Sequence, residues 1–377
     1  MLIKNIQGES MLEKLFKIED NWVVFFDLFS KNGNGDSIYP IAQELRKRRP
    51  DMKFFFCDTK RSRKKHIEMA DEIITEKTLK FKYVCAKAKY IVSPMAFPRM
   101  KKRKGQIFIQ TWHGSPLKML YLSKDPENKK YQKYAELFAE TDIFCSQADI
   151  HNKNLAEAFN LNIDKIANTG LPRNDILFTA DDNFKANLKK ELGLPDNKKV
   201  LFYCPTWRRY DRKVILPFDL MILKEKFKSD YCLLIRSHVG KHTWVDENNN
   251  PIDIFDNEFS FNGGNYPEAT HLYLISDVLI TDYSSSVFDF AITGKPQIFY
   301  AYDLEEYKNE FGLYFDYKEF ICGDLCTNTC ELVESINSLD KYEEKYGSIY
   351  RQFKDKYIYA ENGTASKQVV DFMLEDK

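Results

Sequence analysis

Long apolar runs are missing from this 377-residue chain. No stretch of about 18 consecutive apolar residues occurs, so no helix is expected to cross a bilayer. The N-terminus lacks the charged, apolar and small-residue blocks of a secretory leader. Neither a P-loop nor a Gly-x-Gly-x-x-Gly string is present, which argues against a nucleoside triphosphatase and against a dinucleotide-dependent dehydrogenase. No Asp-x-Asp pair stands at the end of an expected strand, so a metal-dependent nucleotide-sugar site is not indicated. Cys322, Cys326 and Cys330 are evenly spaced, but no histidine lies close by and the spacing is not that of a zinc site. No metal and no tightly bound cofactor are therefore expected. No nucleic-acid-binding motif occurs. Net charge is also missing, with Lys plus Arg and Asp plus Glu at 56 each. Histidine is scarce, at six residues.

What is present suits two α/β domains. The chain is 44% hydrophobic and 15% aromatic, enough for large cores, and it is too long for one ordinary core. Its eight cysteines lie mostly in apolar runs, as in reduced intracellular proteins. Strands are expected at Trp22–Phe26, Lys53–Cys57, Tyr90–Val92, Ile107–Gln110 and Ile143–Ser146, and again at Val200–Tyr203, Cys232–Arg236, Val278–Thr281 and Gln297–Tyr300. Helical patterns lie between them, with Asp36 and Asp149 as expected caps. This alternation implies parallel sheets covered on both faces. The polar stretch Thr179 to Asn183 marks a boundary, giving units over 1–180 and 181–355. The last helix, about 356–377, is expected to pack back on the first unit. Val245 to Asn265 reads as a loop or a small β excursion.

Charge is unevenly distributed. Ten basic residues fall between Arg46 and Lys65 against Asp51 and Asp58, and Arg99, Lys101, Lys102, Arg103 and Lys104 follow without an acid. Such a surface suits an anionic membrane or substrate, and equally a solvated helix face.

The chemistry-bearing residues gather at the ends of expected strands, where open α/β sheets bind ligands. Asp277 to Asp303 reads as strand, turn, helix and strand, with Asp282, Ser284, Ser285 and Ser286 at the helix start, where free N–H groups and the helix dipole favour phosphate. His113 follows Ile107–Gln110 in Thr-Trp-His-Gly-Ser-Pro-Leu-Lys118, and Gly114 and Pro116 force a turn there. His238 follows Cys232–Arg236. Thr206 and Arg208 stand in Cys-Pro-Thr-Trp-Arg, where arginine offers bidentate donors to phosphate. Gly170-Leu-Pro-Arg-Asn-Asp175 reads as a turn exposing Arg173 and Asn174, with salt bridging at a domain junction as the plainer reading.

Taken along the chain between about Gln106 and Tyr307, the strings Thr-Trp-His-Gly-Ser-Pro-Leu-Lys, Gly-Leu-Pro-Arg-Asn-Asp, Cys-Pro-Thr-Trp-Arg, Arg-Ser-His and Ile-Thr-Asp-Tyr-Ser-Ser-Ser-Val-Phe-Asp-Phe resemble, in the same order, those of the CDP-glycerol glycerophosphotransferase family, whose members build teichoic acids and related capsular polymers. The chain differs by Ser115, where the family often has Thr, and Val239, where it often has Pro. The resemblance implies a GT-B-like fold of two doubly wound domains and a CDP-glycerol donor. It implies an undecaprenyl-diphosphate-linked saccharide acceptor, and work at the cytoplasmic face of the membrane as a peripheral protein. The length is closest to a short, primase-type member. On this reading His113 is the general base, and His238, Thr206, Arg208, Arg236, Asp282 and Ser284 to Ser286 serve the donor phosphates. Gly114, Ser115, Arg173 and Asn174 lie on the acceptor side, and Arg99 and Lys101 to Lys104 face the membrane. A CDP-ribitol enzyme and a nucleotide-sugar GT-B glycosyltransferase remain open alternatives, as does an inactive membrane scaffold.

Overall fold

The apolar runs of the first half become one parallel sheet. The computed structural model describes residues 16–26, 36–58, 67–95, 102–206, 208, 213–237, 243–245 and 250–375. Within it, β1 (Glu19–Phe26), β2 (Lys53–Asp58), β3 (Glu72–Thr75), β4 (Ala88–Ser93), β5 (Ile107–Gln110), β6 (Ile143–Cys145) and β7 (Ile166–Ala167) lie in the order β3-β2-β1-β4-β5-β6-β7. Helices cover both faces, so consecutive β1 residues Val23, Val24, Phe25 and Phe26 are all buried. Each such side chain contributes about 1.5–3 kcal/mol by leaving water.

The second half repeats the scheme. It contains β8 (Lys199–Tyr203), β9 (Lys213–Ile215), β10 (Tyr231–Ile235), β11 (Thr243–Val245), β12 (Ser260–Asn262), β13 (Val278–Thr281), β14 (Gln297–Tyr300) and β15 (Leu325–Cys326). The main sheet runs β12-β10-β8-β13-β14-β15, and β9 and β11 form a separate parallel pair. β12, inside the segment read as a loop or a small β excursion, extends the sheet edge by pairing with β10. The fold is thus the expected α/β arrangement of parallel sheets.

The C-terminal helices tie the halves together. Phe353 and Tyr357 of the Tyr342–Tyr357 helix pack with Phe288 and Phe320, and Leu117 belongs to the same core. Val369, Val370 and Met373 of the Ala365–Leu374 helix join Ile38, Ile41 and Leu45 in the core under the first sheet. Asp175 holds the start of that last helix, accepting from Ala365 N at 2.9 Å and Ser366 N at 2.8 Å.

Several local expectations need correcting. The helix expected to be capped by Asp36 starts at Ile38 with Ser37 at the cap position, and Asp36 adopts φ 54°. Its carboxylate accepts from Ser37 N at 2.7 Å, and its own N–H crosses to Glu268 Oε2 at 3.0 Å. Asp149 lies in the first turn of its helix, with Ala148 before it. Among the described residues the basic segments are largely paired within the protein, and Lys60, Arg61, Arg63, Lys64 and Lys65 lie outside them. Arg46 bonds Asp71 and lies 3.8 Å over the Phe54 ring, Arg48 pairs with Asp371, and Arg49 with Asp51. Of the residues expected to face a membrane, Lys102 pairs with Asp142, and Arg103 donates to the carbonyls of Ala86 and Phe16. A side chain spent on local acceptors is a poor lipid contact, so both are fold elements, while Lys104 is exposed. Arg99 and Lys101 lie outside the described residues.

Candidate functional site

β5 ends at Gln110, and its side chain shapes the turn that carries His113. Gln110 Oε1 accepts from Trp112 N at 2.9 Å, and its Nε2 donates to Met95 O at 2.8 Å. Trp112 takes φ 53° and buries its indole among Phe138, Phe144 and Phe159. That anchor leaves His113 exposed beyond the carboxyl end of β5, its ring 3.8 Å from the indole and its Nδ1 3.2 Å from Pro94 O. Surrounding protein pushes the imidazole pKa below 6.5; the Pro94 carbonyl and Asp36 oppose that shift, and Arg173 and Lys118 add to it. The residue remains exposed, so water softens the depression without reversing it. A neutral imidazole at pH 7 is the state that accepts a proton.

Gly114 makes one of the contacts between the two halves. Its φ is 142°, and a Cβ there would stand 2.6 Å from Ser285 Oγ and 3.0 Å from Ser285 Cβ. The His113 loop therefore sits directly on the serine turn. Gly114→Ala combines a Gly-only backbone with that overlap. It should cost about 1–3 kcal/mol, read as a lower urea midpoint, and it should lower turnover at least tenfold by prising the loops apart. An unchanged midpoint and rate would mean that the contact is incidental.

The serine turn follows β13. Asp282 Oδ1 accepts from Thr206 N at 2.7 Å and Tyr283 N at 2.6 Å, so this carboxylate ties the end of β8 to the turn. Ser284 Oγ accepts from Ser286 N at 3.2 Å and contacts Ser286 Oγ at 2.9 Å. Ser285 occupies the cap position without a side-chain cap bond and faces Gly114. Thr206 Oγ1 is buried with no partner among the described residues.

The arginines differ from expectation. Arg208 donates to Asp303 at 2.7 and 2.9 Å, to Asp282 at 2.9 Å and to Thr206 O at 2.7 Å, and stacks over Tyr283, Tyr302 and Tyr307. Two carboxylates thus hold it, and it braces the turn rather than presenting a free fork. Arg236 spends its guanidinium on the carbonyls of Gly263, Tyr266 and Pro267, which fixes that loop. His238 lies outside the described residues.

Asn174 and Ser115, expected on the acceptor side, are buried at the junction, and Arg173 beside them is only slightly exposed. Arg173 pairs with Asp289 at 2.7 Å and reaches Asp36 at 3.5 Å. Asn174 Nδ2 donates to Asp289 at 2.9 Å and to Glu361 Oε1 at 2.9 Å. Ser115 Oγ donates to Gln147 Oε1, and Gln147 Nε2 donates to Asp289 at 3.2 Å and Glu361 at 2.8 Å. The salt-bridging reading of this motif is the one the structure adopts. Asp289, Gln147 and Glu361 lay outside the sequence assignment; Asp289 alone had a signal, as an acid on an otherwise apolar helix.

Glu361 makes a pH prediction. Burial raises its pKa from 4.5 to about 8, with Asp289 adding to the rise, while the bonds from Asn174, Leu171 N and Gln147 oppose it. The folded chain therefore keeps a proton that the unfolded chain releases. This group's stabilisation is complete below the unfolded value and is lost as pH rises through the folded value. Glu361→Gln stays neutral and should flatten that decline, seen by urea midpoints between about pH 5 and pH 9. A wild-type midpoint that rises across this range would contradict the assignment.

Comparison with known proteins places this geometry. The family model described as CDP-Glycerol:Poly(glycerophosphate) glycerophosphotransferase matches residues 10–375. A teichoic acid glycerol-phosphate transferase of Staphylococcus aureus is 35% identical over 283 residues, covering 70% of this chain and 69% of the relative. A teichoic acid poly(glycerol phosphate) polymerase of Bacillus subtilis is 30% identical over 395 residues; the alignment covers 100% of this chain, which spans about half (51%) of that relative. Solved structures of the wall teichoic acid polymerase TagF, one of them a variant soaked with CDPG, superpose with TM-score 0.84 at 28% identity, over 94% of this chain and 89% of theirs. The fold is accordingly GT-B-like.

Proposed function

Because the chain belongs to the CDP-glycerol:poly(glycerophosphate) glycerophosphotransferase family, we propose that it moves glycerol phosphate from CDP-glycerol to a hydroxyl of a lipid-linked teichoic acid precursor, releasing CMP. One observation carries the reading: Gly114 packs on Ser285, so a loop bearing a proton acceptor meets a turn bearing phosphate donors.

In the reaction, the acceptor oxygen bonds to the β-phosphorus of the donor. The bond from that phosphorus to the bridging oxygen breaks, and CMP leaves with that oxygen. His113 takes the hydroxyl proton, a role its lowered pKa supports. Ser284 and Ser285 supply hydroxyl and backbone donors to the phosphate oxygens, held by the Asp282–Arg208–Asp303 brace. Phosphoryl transfer asks chiefly for such positioning and charge compensation.

A lipid-linked acceptor puts the reaction at a membrane surface, with the protein bound peripherally. Among the described residues no helix is long and apolar enough to cross a membrane. The deciding assay measures acceptor-dependent CMP release from CDP-glycerol beside CDP-ribitol, and nucleotide release from UDP-sugars. Turnover with CDP-glycerol above the others is expected. Preference for a nucleotide sugar would replace this reading with a glycosyltransferase, and preference for CDP-ribitol would change the alditol alone.

A further inference from the structure

The segment after His113 crosses to the second half and is fastened there. Lys118 forms an antiparallel bridge with Leu313. On either side, Met119 N donates to Gly312 O at 3.1 Å and Tyr314 N to Leu117 O at 2.9 Å. Gly312, at φ 69°, leaves no room for a Cβ, which would stand 2.8 Å from Met119 Sδ. Leu120 N adds a bond to Tyr314 OH at 3.1 Å, and Lys124 Nζ one to Glu310 O at 2.6 Å. Lys118 is therefore held rigidly at its backbone, between the His113 loop and the second sheet.

Its side chain is half-buried, 5.8 Å from the Phe311 ring, and among the described residues its ammonium has no hydrogen bond or ion pair. The neighbouring cations differ in this respect. Arg208 is committed to Asp282 and Asp303, Arg173 to Asp289 and Asp36, and Arg236 to three carbonyls. A half-buried ammonium without an acceptor is unfavourable, and an entering anion would relieve it. The ammonium shares the field of the site: burial lowers its pKa, nearby Asp282 opposes that, and the charges of Lys124 and Arg208 add to the lowering. His113 in turn feels the charge of Lys118.

We propose that Lys118 is a substrate-contacting cation whose ammonium donates to the diphosphate of the donor, on the side of the β-phosphoryl group that is transferred. This rests on the donor reading given above, and it names a residue to supply the charge that the committed arginines do not. A point charge on a flexible stem suits a phosphoryl group that shifts as its bond to CMP lengthens.

The test compares wild type with Lys118→Met, Lys118→Gln and Lys118→Arg, each checked by thermal melting. Binding of inorganic pyrophosphate, CDP-glycerol and CMP is measured by calorimetry. The neutral variants should weaken pyrophosphate and CDP-glycerol at least tenfold and leave CMP, which lacks the β-phosphate, within about twofold. Arginine should restore part of the loss. A merely structural lysine would move all three ligands together or none, and either pattern overturns the assignment. If wild type binds pyrophosphate through Lys118 but ignores CDP-glycerol, the donor reading falls and the anion site stands. If pyrophosphate binds equally to wild type and the neutral variants, or not at all, the role of Lys118 falls.

Discussion

His113→Ala is expected to lower turnover by about two to four orders of magnitude, the range for a lost general base, with CDP-glycerol affinity kept within a few-fold. The imidazole stands beyond β5 on a turn shaped by Gln110 and anchored by the buried Trp112. Removing it leaves that anchor and the serine turn in place. Its depressed pKa, set first by burial, keeps it neutral at pH 7. The acid limb of kcat/KM, which reports the free enzyme, should therefore fall below the ordinary histidine value of about 6.5. That limb should be absent from the residual activity of the variant. A folded variant with near-normal turnover would remove His113 from the mechanism, and an acid limb well above neutrality would mean that another group titrates.

Asp289→Ala should be the most damaging change for stability, at about 3–5 kcal/mol, the range for breaking a buried pair from one side. Asp289 accepts from Arg173 at 2.7 Å, Asn174 at 2.9 Å and Gln147 at 3.2 Å. Without it the nearly enclosed Arg173 keeps, among the described residues, only Asp36 at 3.5 Å as an ionic partner, and its Nε already lacks a partner there. Three first-half side chains lose their common anchor, so the junction that seats Gly114 on Ser285 should loosen and activity should fall as well. Chemical denaturation supplies the measurement. The Arg173→Ala, Asp289→Ala double variant should lose clearly less than the sum of the singles, because its second change removes a charge already orphaned. Additive losses would mean that the two side chains do not act as a pair.

The sheets and the two turns of the candidate site were legible because each is local. β5, β13 and β14 are apolar runs bounded by turn residues, and they match the expected strands at both ends. β7 and β15 have two residues each, too few for any periodicity to show. His113 and the serine turn could be read because Gly and Pro mark the turn and three hydroxyls open the helix. The partners of the arginines could not. Asp289 lies 116 positions from Arg173, and Asp303 lies 95 from Arg208. A sequence shows that a guanidinium exists but not that two carboxylates already hold it. For the same reason the sequence alone presents Arg173 and Asn174 as exposed, and Lys102 and Arg103 as lipid contacts. Glu361 and Gln147 sit in no motif, and only the folded chain shows that Gln147 and Asn174 each donate to both Asp289 and Glu361. Lys118 was visible as part of a motif, yet its unmatched charge appears only once the other cations have been assigned.

The central claim is transfer of an intact glycerol phosphate, and mass spectrometry of the acceptor tests it most directly. A short lipid-linked acceptor is incubated with CDP-glycerol and the protein, and CMP is quantified in the same sample. The acceptor is predicted to gain whole glycerol phosphate units in a one-to-one ratio with the CMP formed, with the number of units separating a single addition from polymerisation. The His113→Ala protein should form both products about a hundredfold more slowly or worse. CMP accompanied by free glycerol phosphate and an unchanged acceptor, or an acceptor that gains a sugar instead, would contradict it.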